Sequence, residues 1–205
     1  MLKLFYAPGA CSMASHLALI EAGLPFTIDK ADIRNKKTST GEDFFALTGG
    51  KGYVPALQLD DGTVLCEGVA ILQYIADQAP ATGLAPANGT LPRYQLQEWL
   101  NYIATEVHKN FGPLFNPAST PEAKEGAKAN LAKRFDWLAE KLTGRDFLMG
   151  SQFTVADAYL GVVLSWTRVV GIDLAGTHPV LSAYQARVMG RPAALAAMRA
   201  EGLLG

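Results

Sequence analysis

The sequence predicts a small α/β domain over residues 1–79, a linker over 80–91 and an all-α domain over 92–205. Three observations carry this. A strand, a helix and a second strand follow one another within about 30 residues of the start, the length of a right-handed βαβ unit with parallel strands. An Asp61-Gly62 pair separates two apolar runs, which signals a β-hairpin. After Pro92 no strand pattern remains, and apolar residues recur at helical spacing.

Taken in order, Leu2-Lys3-Leu4-Phe5-Tyr6 alternates and stops at Ala7-Pro8-Gly9, so it reads as a strand and a turn. Met13, Leu17 and Ile20 line one face of a helix that Ser12 is placed to cap and Gly23 to stop. Residues 26–29 make the second strand. Residues 31–53 are polar and glycine-rich, with a short helix expected around 42–47. Residues 54–59 and 64–65 form the hairpin. Glu67-Gly68 opens a helix with Val69, Leu72 and Ile75 on one face, ending before Pro80. The order is β-α-β-α-β-β-α.

Beyond the linker, Leu96, Trp99 or Leu100, Ile103 and Val107 make one helix. Thr120-Pro121 starts another, carried on by Leu131, Phe135, Leu138 and Leu142. Thr154-Val155-Ala156-Asp157 matches a capping box with Asp in place of Glu. The helix it opens is apolar nearly all round, which places it at the centre of the second domain. Shorter helices are expected near 179–188 and 192–201.

Hydrophobic residues make up 49% of the chain and charged ones 18%, enough apolar material for a packed core. Lys plus Arg is 18 against 19 Asp plus Glu. That balance lacks the basic excess of a nucleic-acid binder or of a protein drawn to anionic membranes. Two cysteines outside any CxxC pair and three scattered histidines give neither a disulfide framework nor a structural zinc site. The start has no secretory leader pattern. The longest apolar stretch, 155–172, is broken by Asp157, Ser165, Thr167 and Arg168 and is unsuited to span a bilayer. A soluble, cytoplasmic protein without a metal is expected. No GxGxxG after a strand, Walker loop, HExxH or GxSxG occurs.

Five groups of residues have chemical potential. Cys11 follows a strand and a Pro-Gly turn at the start of a helix, where unpaired N–H groups lower a thiol pKa; the alternative is a small buried hydrophobe. Cys66, at a strand end, reads as buried. Val54-Pro55 suits an ordinary strand start, or a cis bond that leaves the Val54 backbone open to an extended peptide. Glu67-Gly68 reads as a first-turn acid, or as a carboxylate facing a ligand ammonium. Asn101, Thr105 and His108, with Lys109 beside them, fall on one face at α-helical spacing, either a solvated stripe or the lining of a cleft. His16 reads as helix surface or packing and His178 as a loop residue.

Together these residues resemble a bacterial beta-class glutathione S-transferase over essentially the whole chain. The carrying blocks are Leu4-Phe5-Tyr6-Ala7-Pro8-Gly9-Ala10-Cys11-Ser12, Val54-Pro55-Ala56-Leu57, Glu67-Gly68-Val69-Ala70-Ile71, Glu98-Trp99-Leu100-Asn101, Glu106-Val107-His108-Lys109 and Phe153-Thr154-Val155-Ala156-Asp157-Ala158-Tyr159. The resemblance implies a thioredoxin-like N-terminal domain, a helical C-terminal domain, a homodimer, and bound glutathione as co-substrate. Cys11, with Ser12 as its neighbour, would meet the glutathione sulfur and could form a mixed disulfide with it. Val54, before a cis Pro55, would pair with the cysteinyl unit. Glu67 and Gly68 would hold the γ-glutamyl end, and Lys36, or Lys37 beside it, the glycyl carboxylate. Asn101, His108 and Lys109 would reach in from the helical domain. Thr154 and Asp157 would cap a helix. Where the family has Asn-Pro and a short link before Val-Pro, this chain reads Leu47-Thr48-Gly49-Gly50-Lys51-Gly52-Tyr53, one residue longer. Tyr53, Phe115 and Trp166 are candidates for an electrophile pocket or for core.

The implied activity is conjugation of glutathione to small hydrophobic electrophiles, a detoxification reaction. Two alternatives stand beside it. One is glutathione-dependent thiol–disulfide exchange, reduction or dehalogenation with Cys11 as nucleophile. The other is binding of glutathione or apolar ligands without turnover.

Overall fold

The computed structural model describes residues 1–204. It divides into two compact units, one of Met1–Ala85 with Gly190–Gly205, the other of Pro86–Met189. The division falls inside the expected linker. The C-terminal segment, expected in the helical domain, packs into the first unit.

The first unit holds a five-stranded sheet in the order β3-β2-β1-β4-β5. Its strands are β1 (Leu2–Tyr6), β2 (Phe26–Asp32), β3 (Lys37–Thr38), β4 (Ala56–Gln58) and β5 (Val64–Cys66). β1 and β2 are parallel, with Leu4 opposite Ile28, as the βαβ reading requires. β4 runs antiparallel to β1 and pairs with β5 across the Asp61-Gly62 turn, where Gly62 takes φ +88°. Leu4 and Phe5 are neighbours in sequence and both fully buried, so the central strand is covered on both faces. On one side Phe44, from the short helix α2 (Phe44–Leu47), stacks on Phe5 with a ring separation of 5.7 Å. Helices α1 (Ser12–Glu21) and α3 (Gly68–Gln78) pack against one another and bury Leu17, Leu19, Ile71 and Ile75.

Three local expectations change. The N-cap of α1 is Cys11, with no side-chain cap bond, and Ser12 is the first helical residue. β4 begins at Ala56, because Pro55 has no N–H for a ladder. β3 occupies two residues of the expected loop, too short a strand for alternation to show.

The second unit is helical. α4 (Leu91–Tyr102) starts at Thr90, whose side chain accepts the Arg93 N–H. It runs into a π-helical segment, Ile103–His108, and then α5 (Lys109–Phe115). α6 (Pro121–Leu142) is capped by Thr120, as its Thr-Pro start predicts. α7 (Val155–Val169) is the buried centre. It runs so close to a later helix, α9 (Pro179–Met189), that a Cβ on Gly161 would overlap Val188. Between them lies the unforeseen α8 (Leu174–Thr177). The last helix, α10 (Pro192–Ala200), packs on α1 in the first unit. Among the described residues no helix is long and apolar enough to cross a membrane.

Candidate active site

The β1–α1 loop presents Cys11. Its Sγ–H donates to the Val54 carbonyl at 3.2 Å. Burial pushes the thiol up to about 11; the N–H groups of Cys11 and Ser12 pull the other way, and Glu67 adds to the rise. The helix start therefore favours the thiolate as the sequence predicts, but loss of water outweighs it. Ser12 is fully buried. Its hydroxyl takes the Ala7 N–H at 3.2 Å and lies 3.3 Å from the Ala7 carbonyl, which ties the loop to its own helix.

Val54-Pro55 is a cis peptide. Among the described residues no acceptor takes the Val54 N–H, so one edge of this backbone is open beside the Cys11 sulfur. Glu67 stands at φ +71°, uncommon for a residue other than glycine. Its side chain makes no cap bond and is exposed, although it is the N-cap of α3. It therefore stands at the helix start as an acid, without a capping hydrogen bond. The carboxylate is thus exposed on a residue held in a sparsely populated conformation. Gly68 follows, and a Cβ there would meet the Pro55 ring at 3.6 Å, so the two candidate pairs are in contact.

Lys36 is half-buried, while Lys37 is exposed on β3. The Lys36 ammonium donates to the Gly52 carbonyl at 2.9 Å. Cys66 is half-buried against the Phe5–Phe44 cluster, with its thiol raised by burial. These residues all lie in the first unit.

Glu201, which the sequence reading did not consider, and His16, which it read as helix surface or packing, hold the Cys11 loop from behind. Glu201 accepts the Gly9 N–H at 3.0 Å through Oε2, and its Oε1 lies 3.0 Å from His16 Nδ1. Both side chains are buried. His16 sits on the inward side of α1 with Met13 and Leu17, which was the available signal; its partner, 185 positions away, had none.

In the second unit Asn101, Thr105 and Lys109 are exposed and His108 is half-buried. The stripe read at α-helical spacing passes through the π segment, so its angular reading does not hold there. His108 Nδ1 shares a 2.6 Å hydrogen bond with the Tyr159 hydroxyl. Burial pulls its pKa down to about 4, with Lys109 adding to the shift. Trp166 is edge-on to both His108 (4.8 Å) and Phe115 (5.5 Å). Phe115, with Leu114, Val169 and Val170, lines a cleft of about 510 Å3. A second cleft of about 590 Å3, lined by Trp99, Tyr102 and Trp137, holds none of the sequence candidates. Thr154 and Asp157 form the expected capping box. Among the described residues no group of His, Cys, Asp and Glu is placed to hold a metal ion.

Comparison with known proteins identifies the family to which this fold belongs. Residues 9–78 match the glutathione S-transferase N-terminal domain, and residues 102–192 the C-terminal domain. The chain is 46% identical to glutathione S-transferase GstA of Escherichia coli O157:H7, over 98% of this chain and 100% of that one. A sphingomonad glutathione S-transferase solved with glutathione is 50% identical, at a TM-score of 0.94, over 98% of this chain and all of that one. The bacterial beta-class enzyme of Sphingomonas chungbukensis is 46% identical at 0.95, with the same coverage. With both domain models matched in order and relatives covered from end to end, the chain belongs to the glutathione S-transferase family, in the company of its bacterial beta-class members.

Proposed function

We propose that the protein binds glutathione in its first unit and transfers the glutathione thiolate to small hydrophobic electrophiles. The observation that carries this over thiol–disulfide exchange is the state of Cys11. Its S–H is aimed at the Val54 carbonyl at 3.2 Å and burial raises its pKa, so the thiol form prevails at pH 7. Such a cysteine is a poor nucleophile and a usable hydrogen-bond donor. When its S–H turns from Val54 to the glutathione sulfur, it and the loop N–H groups favour that sulfur's anion; the glutathione thiol proton passes to water, and the anion attacks the electrophile, forms the S–C bond and expels the leaving group.

Recognition follows the ligand's charges. Glu67 takes the ammonium, the Val54 backbone pairs with the cysteinyl unit, and Lys36 takes the glycyl carboxylate, with Pro55 and Gly68 shaping the floor. Ser12 supports the loop. The assignment of Asn101, His108 and Lys109 to the same ligand rests on the family resemblance alone. So do the homodimer, the cytoplasmic location and the role in detoxification. The Phe115–Trp166 wall is the candidate surface for the electrophile.

Retention on immobilised glutathione and turnover of an activated aryl chloride test the reading. Cys11→Ala should keep conjugation within about tenfold, the scale of one hydrogen bond. Complete loss of conjugation in Cys11→Ala, with reduction of mixed disulfides in the wild type, would transfer the assignment to exchange chemistry.

A further inference from the structure

The glycine-rich stretch before Val54 is built around Lys36. The Lys36 backbone is left-handed, at φ +56°. Its carbonyl accepts the Phe44 N–H at 2.9 Å, at the start of α2. Its ammonium donates to the Gly52 carbonyl, past the end of α2. One lysine thus spans the helix from entry to exit. Its stem lies across Gly52, where a Cβ would come within 2.9 Å of Lys36 Cδ and 3.1 Å of Phe45 Cδ2. Gly52 is itself at φ +62°, and its N–H donates to Thr48 Oγ1 at 2.7 Å. A side chain there would be strained and would press on the lysine stem and the Phe45 ring, so glycine lets the loop close over Lys36.

The closed loop sets Tyr53. Its ring centroid is 5.2 Å from the Lys36 ammonium, within cation–π range, although the residue is 70% exposed. Core packing does not account for an aromatic held so openly. The ammonium has three protons, of which Gly52 takes one. The ring lies over one side of the charge, and two ammonium protons remain for other partners.

We propose that Tyr53 is a positioning residue that sets specificity for the carboxyl end of the peptide ligand, by fixing the Lys36 ammonium under its ring. This rests on the glutathione reading above. The site then prefers a tripeptide ending in glycine to γ-glutamylcysteine, which carries no carboxylate at that reach.

The test compares KM and kcat for glutathione and for γ-glutamylcysteine in the wild type, Tyr53→Leu and Tyr53→Phe, with direct binding of each peptide by calorimetry. Tyr53→Leu is expected to raise KM for glutathione about 3- to 10-fold at unchanged kcat, the range of one cation–π contact. KM for γ-glutamylcysteine should stay within twofold, and Tyr53→Phe, which keeps the ring, should restore the wild-type preference. Equal loss with both peptides, or no change with either, overturns the proposal while leaving glutathione binding intact. Wild-type protein that binds neither peptide overturns the glutathione reading and this proposal with it.

Discussion

His108 and Tyr159 share a 2.6 Å hydrogen bond between Nδ1 and the phenol hydroxyl, with the half-buried imidazole edge-on to Trp166 and its pKa pulled down to about 4. The unfolded chain protonates this histidine near pH 6.5, whereas the folded chain waits for about pH 4. Protons therefore bind the unfolded state preferentially in that window. Stability is full above pH 6.5 and drains away as pH falls. Between pH 7.5 and 4.5 the wild type should lose about 2–3 kcal/mol more than His108→Gln, read from urea midpoints at the two pH values. Identical losses would mean that the imidazole is already charged in the fold.

Cys11 offers a second titration, of opposite consequence. Burial raises its pKa, so the reactive anion appears late. In a Cys66→Ser background, alkylation by iodoacetamide should speed up about tenfold per pH unit from 7 to 10. A rate that levels off below pH 8 would reveal a thiolate stabilised far beyond what this geometry provides.

Asp157 is fully buried and accepts four hydrogen bonds, from Leu148 N–H, the Tyr184 hydroxyl, and the N–H and hydroxyl of Thr154. Asp157→Ala abandons all four donors inside the helical unit. It should cost about 3–5 kcal/mol in urea unfolding, and Asp157→Asn less, since one oxygen remains. Similar stability in all three proteins would show that the capping box is dispensable.

Glu201→Ala strips the partner from Gly9 N–H and from His16 together. A loss of about 2–4 kcal/mol is expected, with Glu201→Gln intermediate because it still accepts from Gly9. Since the freed loop carries Cys11, alkylation of that thiol should also accelerate in the alanine variant. Unchanged alkylation and an unchanged midpoint would separate the C-terminal carboxylate from the loop.

Much of this was legible in the chain. The alternation of Leu2–Tyr6, the Asp61-Gly62 turn, the Thr120-Pro121 start and the Thr154–Asp157 box are local signals, and each marks the element it predicts. Cys11, Val54 and Glu67 were placed by short motifs, and the structure brings them to one end of one sheet, past β1, before β4 and after β5. What was hidden has physical reasons. The titration of Cys11 depends on water excluded by Val54 and its neighbours, and periodicity carries no information on that. The π segment alters the angular step that the polar stripe assumed. The His16–Glu201 pair joins positions 185 apart, a contact that exists only once the tertiary path is known.

The discontinuity of the first unit bears on the order in which the molecule is made. Its sheet, His16 and the loop with Cys11 leave the ribosome early. All of Pro86–Met189 must then be synthesised before Glu201 emerges. Throughout that interval the Gly9 N–H and the His16 Nδ1 lack the Glu201 carboxylate. The loop that bears the thiol is among the first parts of the protein to be written and among the last to be finished.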